Sequence, residues 1–165
     1  MATAEPPENK TIVIHLVSHA SGELVEMITR NSVAQLDGVS VDRTLWKMVR
    51  SLAQLPEILA SIGEKPGFVF HSIMDVEIHV PDRFTGDVAA KLSSSRGRLS
   101  GMETEAGVQI IKAQCPLSAM LDYSTHLRSI TAGEGTFTMK FAHYEAMPPN
   151  LQQEIVQKRR AVVDQ

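Results

Sequence analysis

The stretch Phe68-Val-Phe-His-Ser-Ile-Met-Asp-Val-Glu-Ile-His-Val80 decides how this chain is organised. It opens on three apolar residues, as a buried parallel strand does, and then alternates apolar and polar residues from Met74 onward, as a strand with one solvated face does. It contains no glycine, no proline and no serine-rich linker. We therefore expect the segments on either side to be joined by one continuous strand or by two closely packed sheets, and not by a flexible tether.

The upstream residues 11–71 predict a short β-α-β-α-β unit with right-handed crossovers. Short apolar runs and the turn residues between them predict strands at 11–18, at 39–45 and from 68, and helices at 23–36 and 49–62. Pro56 is expected in the first turn of the second helix, where its missing N–H breaks no helical hydrogen bond. The expected buried face of the first helix consists of Leu24, Met27, Ile28 and Val33. Residues 1–10 are expected to form a disordered tail.

The downstream residues 72–165 predict a ferredoxin-like β-α-β-β-α-β sandwich. A helix with apolar residues at every fourth position follows Pro81, and a hairpin with its turn at Ala106-Gly107 comes next. One helix from Leu117 to beyond Leu127 and a final strand at 136–141 complete the pattern, and a surface helix is expected from Leu151 to about Ala161. The predicted fold class of the whole chain is α+β.

Composition favours a soluble, cytoplasmic protein and excludes several classes. The 165 residues include 16 Lys plus Arg against 19 Asp plus Glu, a net charge of −3, which excludes a generally basic nucleic-acid coat. From residue 72 onward the sequence has ten basic and eleven acidic residues. The lone Cys115 excludes an intramolecular disulfide framework. No apolar run approaches the roughly 20 residues that span a bilayer, and the first ten residues lack the apolar core of a signal peptide.

No catalytic or metal-binding pattern is evident in the sequence. The six histidines are scattered, and there is no nucleophile elbow. The phosphate loop pattern Gly-x-x-x-x-Gly-Lys-Ser/Thr is also missing. We therefore predict that the protein is not an enzyme and uses no cofactor and no metal.

An ordered series of motifs in the second half carries a family resemblance. The motifs are Phe84-Thr-Gly-Asp87, Arg96-Gly-Arg98, Gly101-Met-Glu103, Pro116-Leu117, Tyr123-Ser-Thr125, Leu127-Arg-Ser129, Thr131-Ala-Gly-Glu-Gly135, Phe137-Thr-Met139 and His143-Tyr-Glu145-Ala-Met-Pro148. The segment from Ile73 to about Lys158 resembles the fifth, C-terminal domain (domain V) of elongation factor G and elongation factor 2. The resemblance implies a translation-related module that contacts ribosomal RNA and stalk-base proteins of the large ribosomal subunit. It implies no GTPase activity, because the family's GTPase lies in a separate N-terminal domain.

The same resemblance implies a ribosome-contacting surface beside the first helix of this half. Basic side chains near a helix C-terminus can each neutralise a backbone phosphate of RNA. The alternative is that the two arginines only cap helix carbonyls or pair with Asp87 and Glu103. Glu134 argues against retained RNA contact, because many relatives have a basic residue there. The residues of the implied surface are Lys91, Ser94, Arg96 and Arg98.

The first half resembles a different family. The motifs are Ile14-His-Leu-Val-Ser18, Ser21-Gly-Glu23, Ala34-Gln35, Trp46, Val49-Arg-Ser51 and Pro66-Gly-Phe-Val69. They resemble the start of the regulatory protein of pyruvate phosphate dikinase and phosphoenolpyruvate synthase, a kinase/phosphorylase whose phosphate loop lies well downstream of such a segment. The turn containing Ser18, Ser21 and Gly22 could hold an anion weakly on exposed N–H groups. The alternative is that Ser21 caps the following helix.

A chain that combines both resemblances looks like a chimera, natural or engineered. Two alternatives to a ribosome-binding module therefore stay open. One is a fusion scaffold with no selected activity, and the other is a regulatory fragment that binds a nucleotide or a protein partner through its first unit. Because a three-stranded unit leaves sheet edges exposed, a homodimer formed through strand edges is also expected.

Overall fold

The structure, a computed structural model, describes residues 10–35, 38–154 and 157. The chain divides into two compact units, of which the first comprises residues 1–49, 56–70 and 146–165 and the second residues 50–55 and 71–145. The described residues form six strands together with several helices, and the fold class is α+β as predicted. No helix in the described part of the chain is long and apolar enough to cross a membrane.

The first unit has the predicted β-α-β-α-β order. Its elements are β1 (Lys10–Val17), α1 (Glu23–Val33), β2 (Val39–Trp46), α2 (Leu55–Glu64) and the beginning of β3 (Phe68–Pro81). Strands β1 and β2 run parallel, with Lys10 opposite Val39 and Val17 opposite Trp46. The strand order β2-β1-β3 places β1 between its two neighbours. Pro56 lies in the first turn of α2, as expected.

The buried face of α1 differs from the prediction. Leu24, Met27 and Ile28 are 48%, 54% and 50% exposed, whereas Val25 and Thr29 are buried. The reason lies in the turn before the helix, where a Cβ on Gly22 would come within 2.7 Å of Leu45 Cδ1. Because of this close approach, the helix turns towards β2 the side that carries Val25 and Thr29, which lie three and seven positions after Gly22. The Thr29 hydroxyl donates a hydrogen bond to the Val25 carbonyl at 2.7 Å, so its burial leaves no polar group unsatisfied.

Strand β3 is continuous from Phe68 to Pro81, which is the first of the two predicted alternatives. The division between the two units falls within this strand, between Phe70 and His71. From Met74 onward its alternation follows the sequence pattern, with apolar side chains buried and polar ones half-buried. The buried members of the alternating part are Met74, Val76, Ile78 and Val80.

The second unit has the predicted ferredoxin-like topology. Its further elements are α3 (Thr85–Ser94), β4 (Arg98–Glu105), β5 (Val108–Pro116), α4 (Leu117–Met120), α5 (Tyr123–Ile130) and β6 (Thr136–Ala146), and short 3-10 helices cover Leu52–Gln54 and Asp82–Phe84. The strand order is β6-β3-β5-β4. Strand β5 runs antiparallel to both β3 and β4, with Ile73 opposite Pro116 and Arg98 opposite Gln114. Helix α3 packs on β4, β5 and α5 and buries Val88 and Leu92.

The single helix predicted after Pro116 is wrong, because the chain forms α4 and α5 there. Asp122 leaves the helical conformation at φ −120° and is the N-cap residue of α5. Its carbonyl accepts hydrogen bonds from the Thr125 and His126 N–H groups, which starts the second helix in a new direction. The new start places Tyr123 in the core, where its ring packs edge-on against the Phe137 ring with 5.2 Å between the ring centres.

The chain ends agree only in part with the predicted elements. Strand β6 extends to Ala146, five residues beyond the predicted end. Residues 149–154 are helical, and most of the remainder of the surface helix predicted to reach about Ala161 lies outside the described residues. Residues 1–9 of the predicted tail also lie outside them.

We predict opposite effects of alanine at two glycines. A Cβ at Gly67 would overlap the Val13 carbonyl oxygen, whereas a Cβ at Gly86 in α3 meets nothing within 4 Å. Gly67→Ala should therefore lower the free energy of unfolding by about 1–3 kcal/mol. Gly86→Ala should raise it by about 0.5–1 kcal/mol, because alanine is the better helix former. Denaturant unfolding measures both, and a Gly67→Ala variant as stable as wild type would contradict the packing described here.

Candidate functional site

The connection from α3 to β4 carries the four residues of the predicted ribosome-contacting surface. The Ser94 hydroxyl donates to the Lys91 carbonyl at 2.8 Å, and the Gly97 N–H donates to the Leu92 carbonyl at 2.8 Å. These bonds satisfy carbonyls that the end of a helix leaves free and reverse the chain into β4. Ser94 is therefore engaged in ending α3, while Lys91 lies in the last turn of the helix.

Gly97 anchors this connection to the core of the second unit. A Cβ at this position would lie 2.9 Å from both Cys115 Sγ and the Leu92 carbonyl oxygen. Cys115 is fully buried, and burial raises the pKa of its thiol to about 11, so the sulfur is a protonated core atom. Since only glycine fits here without displacing Cys115 or Leu92, the two flanking arginines are held at a fixed point of the surface.

Arg96 has the conformation that usually selects glycine at the end of a helix. Its φ is +63°, and its N–H donates to the Ser93 carbonyl at 3.1 Å. A side chain in this left-handed region costs about 1 kcal/mol relative to glycine. Arg96 is exposed, and among the residues that the structure describes its guanidinium forms no ion pair. An exposed cation therefore occupies a position where a glycine would be more stable.

Arg98 pairs with Glu145 and not with Asp87 or Glu103, the partners considered from the sequence. Its Nη2 donates to Glu145 Oε1 at 2.6 Å. Glu103 accepts instead from Lys112 Nζ at 2.9 Å. The contact joins the first residue of β4 to the end of β6, 47 positions further along the chain.

Glu145 belongs to a group of titratable and charged side chains, which we call the Glu145 cluster and which comprises His71, Arg96, Arg98, His143 and Glu145. Arg96 belongs to it because its charge acts on His71. His143 Nε2 lies 3.5 Å from Glu145 Oε2. Burial alone would raise the pKa of Glu145, but hydrogen bonds from Arg98 and His143 and the charge of Arg98 outweigh it and hold that pKa below its usual range. The carboxylate is therefore ionised at neutral pH.

His71 has the opposite balance. Burial is the main reason why its pKa is lowered, and the neighbouring charges of Arg96 and His143 act in the same direction. A hydrogen bond with the Ser72 backbone and the charge of Glu145 only partly oppose this effect. His71 is therefore neutral at pH 7, and the Glu145 cluster holds two arginines against one carboxylate.

The sequence did not reveal the Glu145 cluster as a unit. His143 and Glu145 stand out there only as part of a family motif, although their spacing of two places both on one side of a strand. Their partners come from α3–β4 and β3, which no local pattern connects to β6.

The sequence also did not reveal a shallow groove of about 460 Å³ on the sheet of the second unit. Its walls include acidic and basic side chains, and one of them, Asp75, already accepts a hydrogen bond at Oδ1 from Nε2 of Gln114, a residue outside the lining, at 3.0 Å. The charges along the groove and beside it are mixed and point to no single class of ligand. Its lining residues are Asp75, Val76, Glu77, Ser100, Lys112, Ala113, Thr138, Met139 and Lys140.

The predicted weak anion site lies at the turn between β1 and α1. Ser18 is buried, and its hydroxyl accepts a hydrogen bond from the Ala20 N–H at 3.2 Å. Gly22, with φ +79°, is the N-cap of α1, and no side chain caps the helix, so the alternative that Ser21 caps it is wrong. Glu23 and Glu26 lie in the first turn and would repel an anion. Within the described residues no three His, Cys, Asp or Glu side chains come together to hold a metal ion.

We predict that His71 makes the fold sensitive to mild acid. Because its folded-state pKa is lowered, the unfolded chain binds the proton more readily, so stability is fully present above the unfolded value of 6.5 and decreases as pH falls below it. His71→Gln should flatten the decline in unfolding free energy between about pH 6.5 and 5, a range above the titration of Glu145. The matched control is His126→Gln at an exposed position on α5. An unchanged slope in His71→Gln would contradict this assignment.

Two family models match overlapping parts of the chain. Residues 14–87 match the model described as kinase/pyrophosphorylase, which supports the resemblance of the first half to the dikinase regulatory proteins. Residues 72–155 match the model described as elongation factor G C-terminus. The two matches share residues 72–87, which run from β3 into the first turn of α3.

One curated relative agrees with the second of these matches. An elongation factor G-like protein of Thermotoga maritima is 48% identical over 93 residues, which are 56% of this chain and 14% of that protein. A crystal structure of a Thermus thermophilus protein aligns with a TM-score of 0.51 and 26% identity over 94% of this chain and 26% of that one. The chain thus spans about a seventh of the length of the curated relative. Because the match at residues 72–155 covers half of the sequence, the chain belongs to the family of elongation factor G C-terminal domains.

Proposed function

We propose that this protein is a non-enzymatic binding module that contacts the large ribosomal subunit near the base of its stalk, through ribosomal RNA and stalk-base proteins. Membership of the elongation factor G C-terminal family supports a translation-factor-like module in general. The observation that carries the finer proposal is Arg96, an exposed cation without an ion pair among the described residues, in a backbone conformation that favours glycine. Strain of this kind at an exposed charged residue is a reason to look for a function of its side chain.

The chemistry of the surface suits phosphate. A guanidinium presents its N–H groups in a fork that matches the oxygens of a phosphate, and each phosphate neutralised adds to the salt dependence of binding. Lys91 adds an ammonium in the last turn of α3. Since basic and acidic residues nearly balance from residue 72 onward, binding has to depend on this local patch and not on overall charge.

The structure weakens the objection to RNA contact that the acidic residue Glu134 raises in the sequence. Its carboxylate accepts a hydrogen bond from Arg83 Nη2 and forms an ion pair with it. Arg83 in turn lies over the Phe84 ring, 4.6 Å from its centre. The acidic charge of the glycine-rich connection is therefore compensated by a neighbouring cation.

We predict that Arg96→Gly separates stability from binding. Glycine relieves the left-handed strain, so the variant should be more stable by about 0.5–1 kcal/mol. The same change removes a phosphate contact, so co-sedimentation with purified large ribosomal subunits should weaken. The logarithmic salt dependence should also become shallower by about one unit.

The matched control is Ala132→Gly. Ala132 is exposed in the same unit with φ +51°, so the change relieves a similar strain and removes no charge. This control should gain stability and bind as wild type does. If Arg96→Gly also binds as wild type does, Arg96 is not part of the contact. If wild-type protein fails to sediment with large subunits even at low salt, the proposed function is wrong and a scaffold without selected activity becomes the better hypothesis.

The kinase/pyrophosphorylase match favours a second candidate, in which the first unit binds a phosphorylated ligand at the turn containing Ser18, Ser21 and Gly22. The uncapped N-terminus of α1 supports it. Thermal unfolding with a nucleoside diphosphate and with inorganic phosphate tests it, because a ligand at about one hundred times its Kd stabilises a protein by about 2.7 kcal/mol. An unchanged melting temperature with both probes would exclude this candidate.

A further inference from the structure

The pair between Arg98 and Glu145 places the two charges at unequal depth. The Arg98 side chain is 69% exposed, whereas that of Glu145 is 26% exposed. The guanidinium therefore presents much of its surface to solvent while one of its N–H groups donates to a recessed carboxylate at 2.6 Å. A solvent-borne anion can reach Arg98, but it meets a cation that already has a partner.

The carboxylate of Glu145 occupies a position suited to an anion from outside the chain. His143 lies 3.5 Å from its second oxygen, and His71, on which the charge of Arg96 acts, is close enough for electrostatic coupling to Glu145. Carboxylate and phosphate oxygens accept hydrogen bonds from a guanidinium in the same geometry. Glu145 and an RNA phosphate are thus alternative partners of one guanidinium.

We propose that Glu145 is a built-in competitor of RNA phosphate for Arg98 and lowers the affinity of the surface for RNA. The inference rests on the proposed function, since it concerns the same surface. Exchange of partners is feasible because ion pairs with an exposed member contribute little to stability. When a phosphate takes Arg98, Glu145 keeps His143 as a neighbour and is not left as an unpaired buried charge.

Competition of this kind has a consequence for specificity. A lone phosphate that binds at Arg98 gains only this guanidinium and has to displace Glu145. A folded RNA that presents several phosphates at once also gains Arg96, which forms no ion pair within the described part of the chain. The carboxylate therefore penalises small anions more than a polyanion of the right shape.

The test compares Glu145→Gln with wild type in titrations of purified large ribosomal subunits at several salt concentrations. Glutamine keeps the size and a hydrogen-bond acceptor but removes the charge. We expect about three- to tenfold tighter binding at low salt, and a logarithmic salt dependence that is steeper by about one phosphate contact, or roughly 0.7–0.9 units. Glu103→Gln is the matched control, because it also removes one cation-paired carboxylate from the same unit and frees Lys112 instead. It should bind within about twofold of wild type.

A double-mutant cycle shows whether the gain depends on Arg98. Glu145→Gln should improve binding in the wild-type background and give no gain in an Arg98→Gln background. This comparison also holds if Glu145→Gln lowers the melting temperature, because an effect of that change on stability alone is present in both backgrounds.

The outcomes separate the inference from the function on which it rests. If Glu145→Gln binds as tightly as wild type, the proposal that Glu145 competes for Arg98 is wrong, whereas the proposed ribosome contact stands. An equal gain in Glu103→Gln would also overturn it, because net charge alone would then explain the effect. No binding by wild type, even at low salt, would overturn the proposed function and the competitor together, whether or not Glu145→Gln binds.

Discussion

The alternation along β3 is the constraint on which the rest of the structure depends, because this strand contributes to both units. In the second unit every other residue from Met74 to Val80 is buried, and β5 and β6 lie on its two sides. A shift of the pairing by one residue would turn Val76 and Ile78 to solvent and bury Asp75 and Glu77. The register with β5 is thereby fixed, and with it the positions of Pro116 and Cys115 opposite the beginning of the alternating part.

That register leads directly to the candidate site. Cys115 lies opposite Met74, and its sulfur fills the space beside Gly97. The α3–β4 connection can therefore take only one path past the core, and Arg96 and Arg98 follow from that path. The chemistry of the surface thus depends on packing inside the unit as much as on the charged residues themselves.

Most of the fold could be predicted from the sequence, and the errors have specific causes. Strand positions followed from alternation and β-branched runs, which act locally. The buried face of α1 could not be predicted, because it depends on the contact of Gly22 with Leu45, a residue 23 positions further along the chain. The break at Asp122 could not be predicted either, because the apolar spacing on its two sides resembles one helix. For the site, the resemblance supplied Arg96 and Arg98, whereas the partner of Arg98 lies 47 residues away and the left-handed backbone of Arg96 has no local signal.

The fully buried thiol of Cys115 allows local opening of the structure to be followed by chemical labelling. It is the only cysteine in the sequence, so a maleimide reagent finds a single thiol in the chain. A protonated, inaccessible thiol reacts only when the structure around it opens, and the rate of labelling then follows the population of the open form. Because Gly97 lies directly against this sulfur, detachment of the arginine-bearing connection from the core is one of the openings that expose the thiol and add to the labelling rate.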